Sequence, residues 1–284
     1  MIPKIIHYCW FGGNPLPESE KKCIASWRKF LPDYEIWQWS EGELVSSDAN
    51  HNDNDDDDEL RALEARRGAR ASTNVDVNHL FDKLMPFDVN SIPYTQQAYE
   101  AKKYAFVSDY ARFRILYKYG GLYFDTDVEI IKPLDDIIER GPFMGIELID
   151  KDCFPKVNPG LGLGMSDGNI VLKSLLEKYS NLQFIGESGE LNLKTIVDYT
   201  SEVLRDYGLE PNKSIQEVAG VWIYPTDYFN PLDSLTGRLK LTDNTRSIHW
   251  YMNSWSDSSA LRQWLSRMSH RLFGMKLHHL KSKL

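Results

Sequence analysis

Residues 108–131 read SDYARFRILYKYGGLYFDTDVEII, and this stretch decides the class of fold. Tyr110, Phe113, Leu116 and Tyr117, with Phe106 just upstream, recur at helical intervals, and Gly120-Gly121 stops the helix after Tyr119. Leu122–Phe124 then reads as a short apolar strand that delivers Asp125 and Asp127, spaced i, i+2, at its end. In an extended backbone that spacing puts both carboxylates on one side. Paired carboxylates are a hard-oxygen site for Mg²⁺ or Mn²⁺, with open positions that substrate phosphates can fill. An ion held there would bridge the two phosphates of a nucleotide diphosphate and neutralise charge as the group attached to it leaves.

Working outward, the flanks supply an α/β frame. Residues 4–11 (KIIHYCWF) read as a buried first strand closed by Gly12-Gly13, and Cys23, Ile24, Trp27 and Phe30 give 17–30 an apolar helical face. Pro32-Asp33 breaks that helix and 34–39 reads as a second strand, so the chain opens βαβ, as mainly parallel sheets do. Downstream, 95–104 and 108–119 read as helices, 143–147 as a strand, 158–164 (NPGLGLG) as a glycine-rich loop, 169–179 and 191–207 as helices, and 245–250 as a late strand. The expected class is α/β, one domain over 1–257.

Two stretches break this pattern. Residues 44–86 carry an acidic run, HNDNDDDDE at 51–59, and then the basic RALEARRGAR at 61–70, and read as an inserted, solvated excursion. Asp53, Asp55, Asp57 and Glu64 match a calcium-binding loop in part, but Asp58 stands where that loop needs glycine, as does Ile130 in a loop begun at Asp125. Residues 258–284 hold no acidic side chain, and Leu261, Trp264, Leu265, Met268 and Leu272 alternate with arginines and lysines at helical spacing. Such a basic amphipathic helix suits an anionic membrane surface or packing on the domain, and sequence weighs the two equally.

Bulk properties narrow the partners. The formal charge of −8 argues against general nucleic-acid binding. Cys9, Cys23 and Cys153 form no CxxC pair and no metal spacing, which fits free thiols in a reducing compartment. No run approaches the roughly 20 apolar residues of a membrane helix, so a cytoplasmic protein, or one peripheral on the cytosolic face, is expected.

Other residues join the candidate site. Asp109 and Arg112 lie i, i+3 on a helix with apolar neighbours; the spacing allows a surface ion pair, but burial would make the pair costly without a ligand. Ser108 reads as the cap of that helix. Trp10 is either one more core aromatic or a stacking surface for a nucleobase at the strand's ligand edge. His7 reads as a structural, hydrogen-bonded histidine. His249 ends a strand before Asn253-Ser254-Trp255 and could complete a metal site begun by two aspartates.

Together, IPKIIHYCWFGG, CIASW, PDYEIWQW, AKKYAFVSDYARFRILYKYGGLYFDTDVE and SIHWYMNSW resemble family-32 glycosyltransferases, over residues 1–42 and 87–256. That family includes bacterial capsule and lipopolysaccharide sugar transferases and the yeast initiating mannosyltransferase, and the catalytic domains of large clostridial glucosylating toxins share a related pattern. The resemblance implies a GT-A fold: a single nucleotide-binding domain with a mixed, mainly parallel sheet, Mn²⁺ or Mg²⁺ on the DxD, and transfer with retention. It implies Trp10 on the base, Tyr123 near the ribose, Asp109 and Arg112 on the donor sugar, and Asp125 on metal or ribose. Asp127 becomes the main metal ligand, while His249, Asn253, Ser254 and Trp255 close over the diphosphate, with His249 a further ligand. Asn158 faces the reacting sugar, although Pro159 replaces the small polar residue expected after it, and an acidic residue of the toxin pattern has no counterpart near the C-terminal motif.

The expected activity is transfer of a hexose, from UDP-galactose or UDP-glucose, to a surface-polysaccharide or lipid-linked oligosaccharide acceptor. An effector that glycosylates host proteins and a catalytically inactive sugar-nucleotide-binding protein are the alternatives; the intact aspartate pair argues against the second.

Overall fold

The computed structural model describes residues 1–42, 80–234 and 236–252. The charged runs 51–59 and 61–70, the trio Asn253, Ser254 and Trp255, and the tail 258–284 lie outside the described residues.

The opening βαβ unit is present. Strand β1 (Ile5–Cys9) leads through helix α1 (Glu18–Phe30) to β2 (Glu35–Glu41), which pairs parallel to β1 with Ile6 opposite Ile36. Glu18 and Glu20 in the first turn of α1, and Arg28 and Lys29 in its last, oppose the helix dipole. The helix buries Cys23, Ile24 and Trp27 against the sheet, where Ile6, Tyr8, Leu122, Phe124 and Phe143 continue the core.

Strand β3 (Lys83–Phe87) adds parallel to β2. The described part of 44–86 therefore ends in a strand of the main sheet, where composition had suggested an excursion. After it come α2 (Pro93–Glu100) and α3 (Tyr104–Tyr119). The second helix begins a turn earlier than expected, because Tyr104–Val107 continue its periodicity. Ser108 is consequently not its cap: its hydroxyl donates to the Tyr104 carbonyl within the helix, at 3.1 Å.

Gly120 (φ 62°) and Gly121 (φ 102°) end α3 and start β4 (Gly121–Tyr123) parallel to β1. A Cβ on Gly121 would stand 2.6 Å from the Ile5 carbonyl, so only glycine lets β4 lie this close to β1. Beyond β4 come β5 (Val128–Ile130), α4 (Asp135–Arg140), β6 (Phe143–Ile149), β7 (Pro155–Met165), α5 (Ile170–Ser180) and α6 (Ile196–Asp206). The hairpin β8 (Gln216–Val218) and β9 (Val221–Tyr224), the short α7 (Thr226–Phe229) and β10 (Ser247–His249) complete the described chain.

The eight-stranded sheet runs β3-β2-β1-β4-β7-β6-β9-β8. Pairing is parallel from β3 to β4 and again between β6 and β9, and antiparallel at β4–β7, β7–β6 and β9–β8. This is a mixed α/β sheet of the nucleotide-binding kind, as expected. Two details aim the site. NPGLGLG lies within strand β7 and is not a free loop, but its register with β6 jumps from Asn158 opposite Gly145 to Leu163 opposite Met144. Residues 159–162 thus bow out of that ladder. Meanwhile β5 pairs antiparallel with β10, setting His249 opposite Val128, and α1 pins β5 through Trp27 Nε1 on the Val128 carbonyl (2.7 Å) and Ser26 Oγ under the Ile130 amide (2.9 Å).

His7 is a buried joint of the sheet. Its Nε2 bonds the Gly120 carbonyl at 3.0 Å and its Nδ1 accepts from Trp39 Nε1 at 3.1 Å, which fixes a neutral tautomer. Burial pulls its pKa down to about 3, although the Gly120 bond opposes this. Because the folded pKa lies below the unfolded one near 6.5, its contribution is complete above that value and is lost as pH falls toward 3. Urea unfolding should show wild type losing about 2 kcal/mol more than His7→Gln between pH 7 and pH 5. Equal losses would remove His7 from the acid response.

Candidate functional site

Parallel strands β1 and β4 end at the same edge of the sheet, so Trp10 and the Asp125-Thr126-Asp127 segment meet there. Trp10 is half-buried, with its indole N–H donated to the Asn14 carbonyl at 2.6 Å. The aspartates are not placed by strand alternation. Val128 donates its amide to the Asp125 carbonyl at 3.0 Å, a tight turn that gives each carboxylate its own set of partners.

Asp125 faces helix α3. Arg112, 3% exposed, donates to Asp109 Oδ1 at 2.9 Å and to the Ser108 carbonyl at 3.1 Å, and its Nη1 lies 3.1 Å from Asp125 Oδ1. Its guanidinium stands 4.7 Å from the centroid of the Tyr123 ring. Tyr123 is itself 1% exposed and supports the arginine from below. Desolvation disfavours the Arg112 charge, but Asp125, Tyr123 and Asp109 more than restore it, so its pKa moves up. Burial pushes the Asp109 carboxyl up to about 7 against the pull of Arg112, with Asp125 adding to the rise. The cation therefore sits between two acids of different character: one buried in the helix, one 29% exposed at the edge.

Asp127 is gripped by the chain that follows β10. Its Oδ1 lies 3.0 Å from His249 Nε2, its Oδ2 accepts the Met252 amide at 2.9 Å, and its carbonyl accepts the Trp250 amide at 3.0 Å. Burial raises the Asp127 pKa, but the His249 charge and hydrogen bond and the Met252 amide outweigh it, and the net shift is downward. Burial likewise opposes charge on His249, yet Asp127, Asp125 and Glu147 carry its pKa upward. Its Nε2 is thus occupied with Asp127, and its Nδ1 is buried with no partner among the described residues.

Two carboxylates offer oxygen donors of the kind Mg²⁺ and Mn²⁺ take, and such ions commonly use only one or two carboxylates plus phosphate oxygens. Among the described residues no three His, Cys, Asp or Glu side chains converge into a closed metal site. The donor set therefore fits a cation shared with a bound diphosphate and not one caged by protein alone.

Three residues absent from the sequence reading shape this edge. Gly160, in the bowed part of β7, accepts the Asp125 amide on its carbonyl at 3.0 Å. A Cβ there would overlap Asp125 Oδ2 and stand 2.9 Å from Arg112 Nη1. Glu147 on β6 receives Asn158 Nδ2 at 3.0 Å and the Tyr251 hydroxyl at 3.3 Å. A lone acid within FMGIELI was the available signal for Glu147; nothing local marks Tyr251 or Gly160.

Parts of the chain are similar to known proteins. Residues 17–144 match the family model described as glycosyltransferase sugar-binding region containing DXD motif. Inositol phosphoceramide mannosyltransferase 1 of Schizosaccharomyces pombe is 27% identical over 146 residues, 50% of this chain and 33% of that protein. The match thus spans about a third of that relative's length. Among solved structures, PaToxG glycosyltransferase shares 18% identity at a TM-score of 0.45, covering 72% of this chain and 69% of that one. Mouse xyloside xylosyltransferase 1, in its apo form, shares 11% at 0.45, covering 88% and 97%. Asp109, Arg112, Asp125 and Asp127 all fall within the matched region.

Proposed function

We propose that this chain is a retaining glycosyltransferase of the family-32 kind, which moves a hexose from a nucleotide-diphosphate sugar to a glycan or lipid-linked acceptor. The observation that carries the reading is the meeting of Asp125 and Asp127 with the buried Asp109–Arg112 pair at one sheet edge. Asp127, with Asp125 beside it, would hold Mn²⁺ or Mg²⁺. When bound, that ion supplies charge neutralisation on the leaving diphosphate.

The remaining work belongs to the chain's own residues. Trp10 offers its indole face to the base. Asp109, its carboxyl pushed up by burial against the pull of Arg112, is placed to take sugar hydroxyls. Arg112, already preorganised by two carboxylates and the Tyr123 ring, adds fixed positive charge beside the donor without reorganising. Tyr123 serves through Arg112, and His249 through Asp127. Asn158 is assigned to the sugar face, and Asn253, Ser254 and Trp255 to closure over the diphosphate. Front-face displacement, with the leaving diphosphate taking the acceptor proton, is the mechanism we favour.

UDP-galactose or UDP-glucose is the preferred donor, and a bacterial surface-polysaccharide intermediate the preferred acceptor. The relative named as an inositol phosphoceramide mannosyltransferase keeps mannose donors and lipid acceptors in the test. Among the described residues no helix is long and apolar enough to cross a membrane. Action at the cytosolic face, with 258–284 on the bilayer, is part of the proposal.

A donor-hydrolysis screen over UDP- and GDP-sugars with Mn²⁺, repeated with chelator, tests it. One donor should be hydrolysed, with at least about a tenfold loss on chelation. Hydrolysis indifferent to chelator would refute the metal role, and no hydrolysis or transfer of any donor would refute the activity.

A further inference from the structure

Glu147 is an acidic side chain that the proposed reaction does not use, and its contacts lead to both aspartates. One path starts at Oε2, which receives Asn158 Nδ2 at 3.0 Å. Asn158 Oδ1 in turn accepts the Gly160 amide at 2.7 Å, and the Gly160 carbonyl accepts the Asp125 amide at 3.0 Å. The other path starts at Oε1, which receives the Tyr251 hydroxyl at 3.3 Å. The Tyr251 ring packs on His249 with centroids 4.1 Å apart. His249 Nε2 then meets Asp127 Oδ1, and Met252, the residue after Tyr251, gives its amide to Oδ2.

One further contact and one backbone feature make the arrangement specific. Asn230 Nδ2 donates to the Glu147 carbonyl at 2.9 Å, so the backbone under the carboxylate is also held. Tyr251 has φ 51°, a conformation a non-glycine residue keeps only when its surroundings enforce it. Its hydroxyl bond to Glu147 is one such restraint.

We infer that Glu147 is a positioning residue, tying the bowed strand under Asp125 to the segment over Asp127 and so fixing the two carboxylates for one divalent cation and diphosphate. The inference rests on the metal–diphosphate reading above. The role needs an acceptor toward Asn158 and a polar partner for Tyr251. Asn158 cannot turn its amide without abandoning the Gly160 N–H, so it presents only N–H to position 147. The Tyr251 hydroxyl can donate or accept, so a glutamine keeps both contacts with one of them reversed, whereas an alanine removes both.

Calorimetric titration of UDP into the full chain, with Mn²⁺ and then with chelator, tests the inference using Glu147→Ala and Tyr251→Phe. Glu147→Ala should lower UDP affinity about tenfold or more in Mn²⁺, the scale expected for an outer partner of a metal ligand. Affinity in chelator should stay within about twofold of wild type, because no bond of Glu147 reaches the base edge. Tyr251→Phe, which removes one oxygen, should show the same Mn²⁺-confined loss and carries the test where the alanine variant fails to fold. Unchanged affinity in Mn²⁺ for either folded variant would overturn the inference, as would an equal loss with and without the ion. A wild-type chain whose UDP affinity ignores Mn²⁺ would overturn the proposed function, and the inference with it.

Discussion

Asp127→Asn is expected to lower donor hydrolysis about a hundred- to a thousandfold, while the sheet stays folded. The substitution separates charge from scaffold. Asparagine can still accept the Met252 amide on its side-chain oxygen and offer its N–H₂ to a neutral His249, the two partners of the native carboxylate. What disappears is the negative charge that the site holds in place despite burial. Near-wild-type turnover in Mn²⁺ would show that Asp127 is a structural acid serving His249 and nothing more. The alanine variant is the blunter test, since it also strands the Met252 amide and the imidazole.

Gly160→Ala is expected to cost about a hundredfold in turnover through a residue that touches no substrate. The added methyl would overlap Asp125 Oδ2 and lie 2.8 Å from its Cγ. Overpacking of this kind costs about 1–3 kcal/mol. The carboxylate can escape only by giving up its place beside Arg112, where it now lies at 3.1 Å. A double-mutant cycle identifies the cause. In an Asp125→Ala background the carboxylate overlap is gone and only Arg112 Nη1, 2.9 Å from the methyl, stays close, so adding Gly160→Ala should cost clearly less than it does in the wild type. Additive losses in the two backgrounds would instead locate the harm in the β7 backbone.

Both predictions concern features only partly legible in sequence. The βαβ opening could be read because its signals are local: Ile24 and Trp27 repeat at helical spacing, and Pro32-Asp33 ends the helix outright. The aspartate pair could be read for the same reason, as could the Asp109–Arg112 couple, whose i, i+3 spacing is written in the helix. Where a feature depends on a distant partner, local pattern misleads. Ser108 has the chemistry of a cap, yet Tyr104–Val107 extend the helix past it because Val107 has a core to bury in. Alternation suggested an extended Asp125–Asp127, whereas a turn closes there and the carboxylates answer to Arg112 on one side and His249 on the other. The glycines of 158–164 suggested a loop; pairing of Asn158, Leu163 and Gly164 with neighbouring strands holds the two ends of that stretch within β7, while 159–162 bow out. Glu147 and Tyr251 are 104 positions apart, and no window of sequence shows that they meet.

Anomalous scattering from a crystal soaked in Mn²⁺ and UDP tests the account most directly. The account predicts a manganese peak about 2.1 Å from an Asp127 carboxylate oxygen, with Asp125 beside it and diphosphate oxygens completing the shell. UDP bound at the Trp10 edge with no peak near either carboxylate would contradict it.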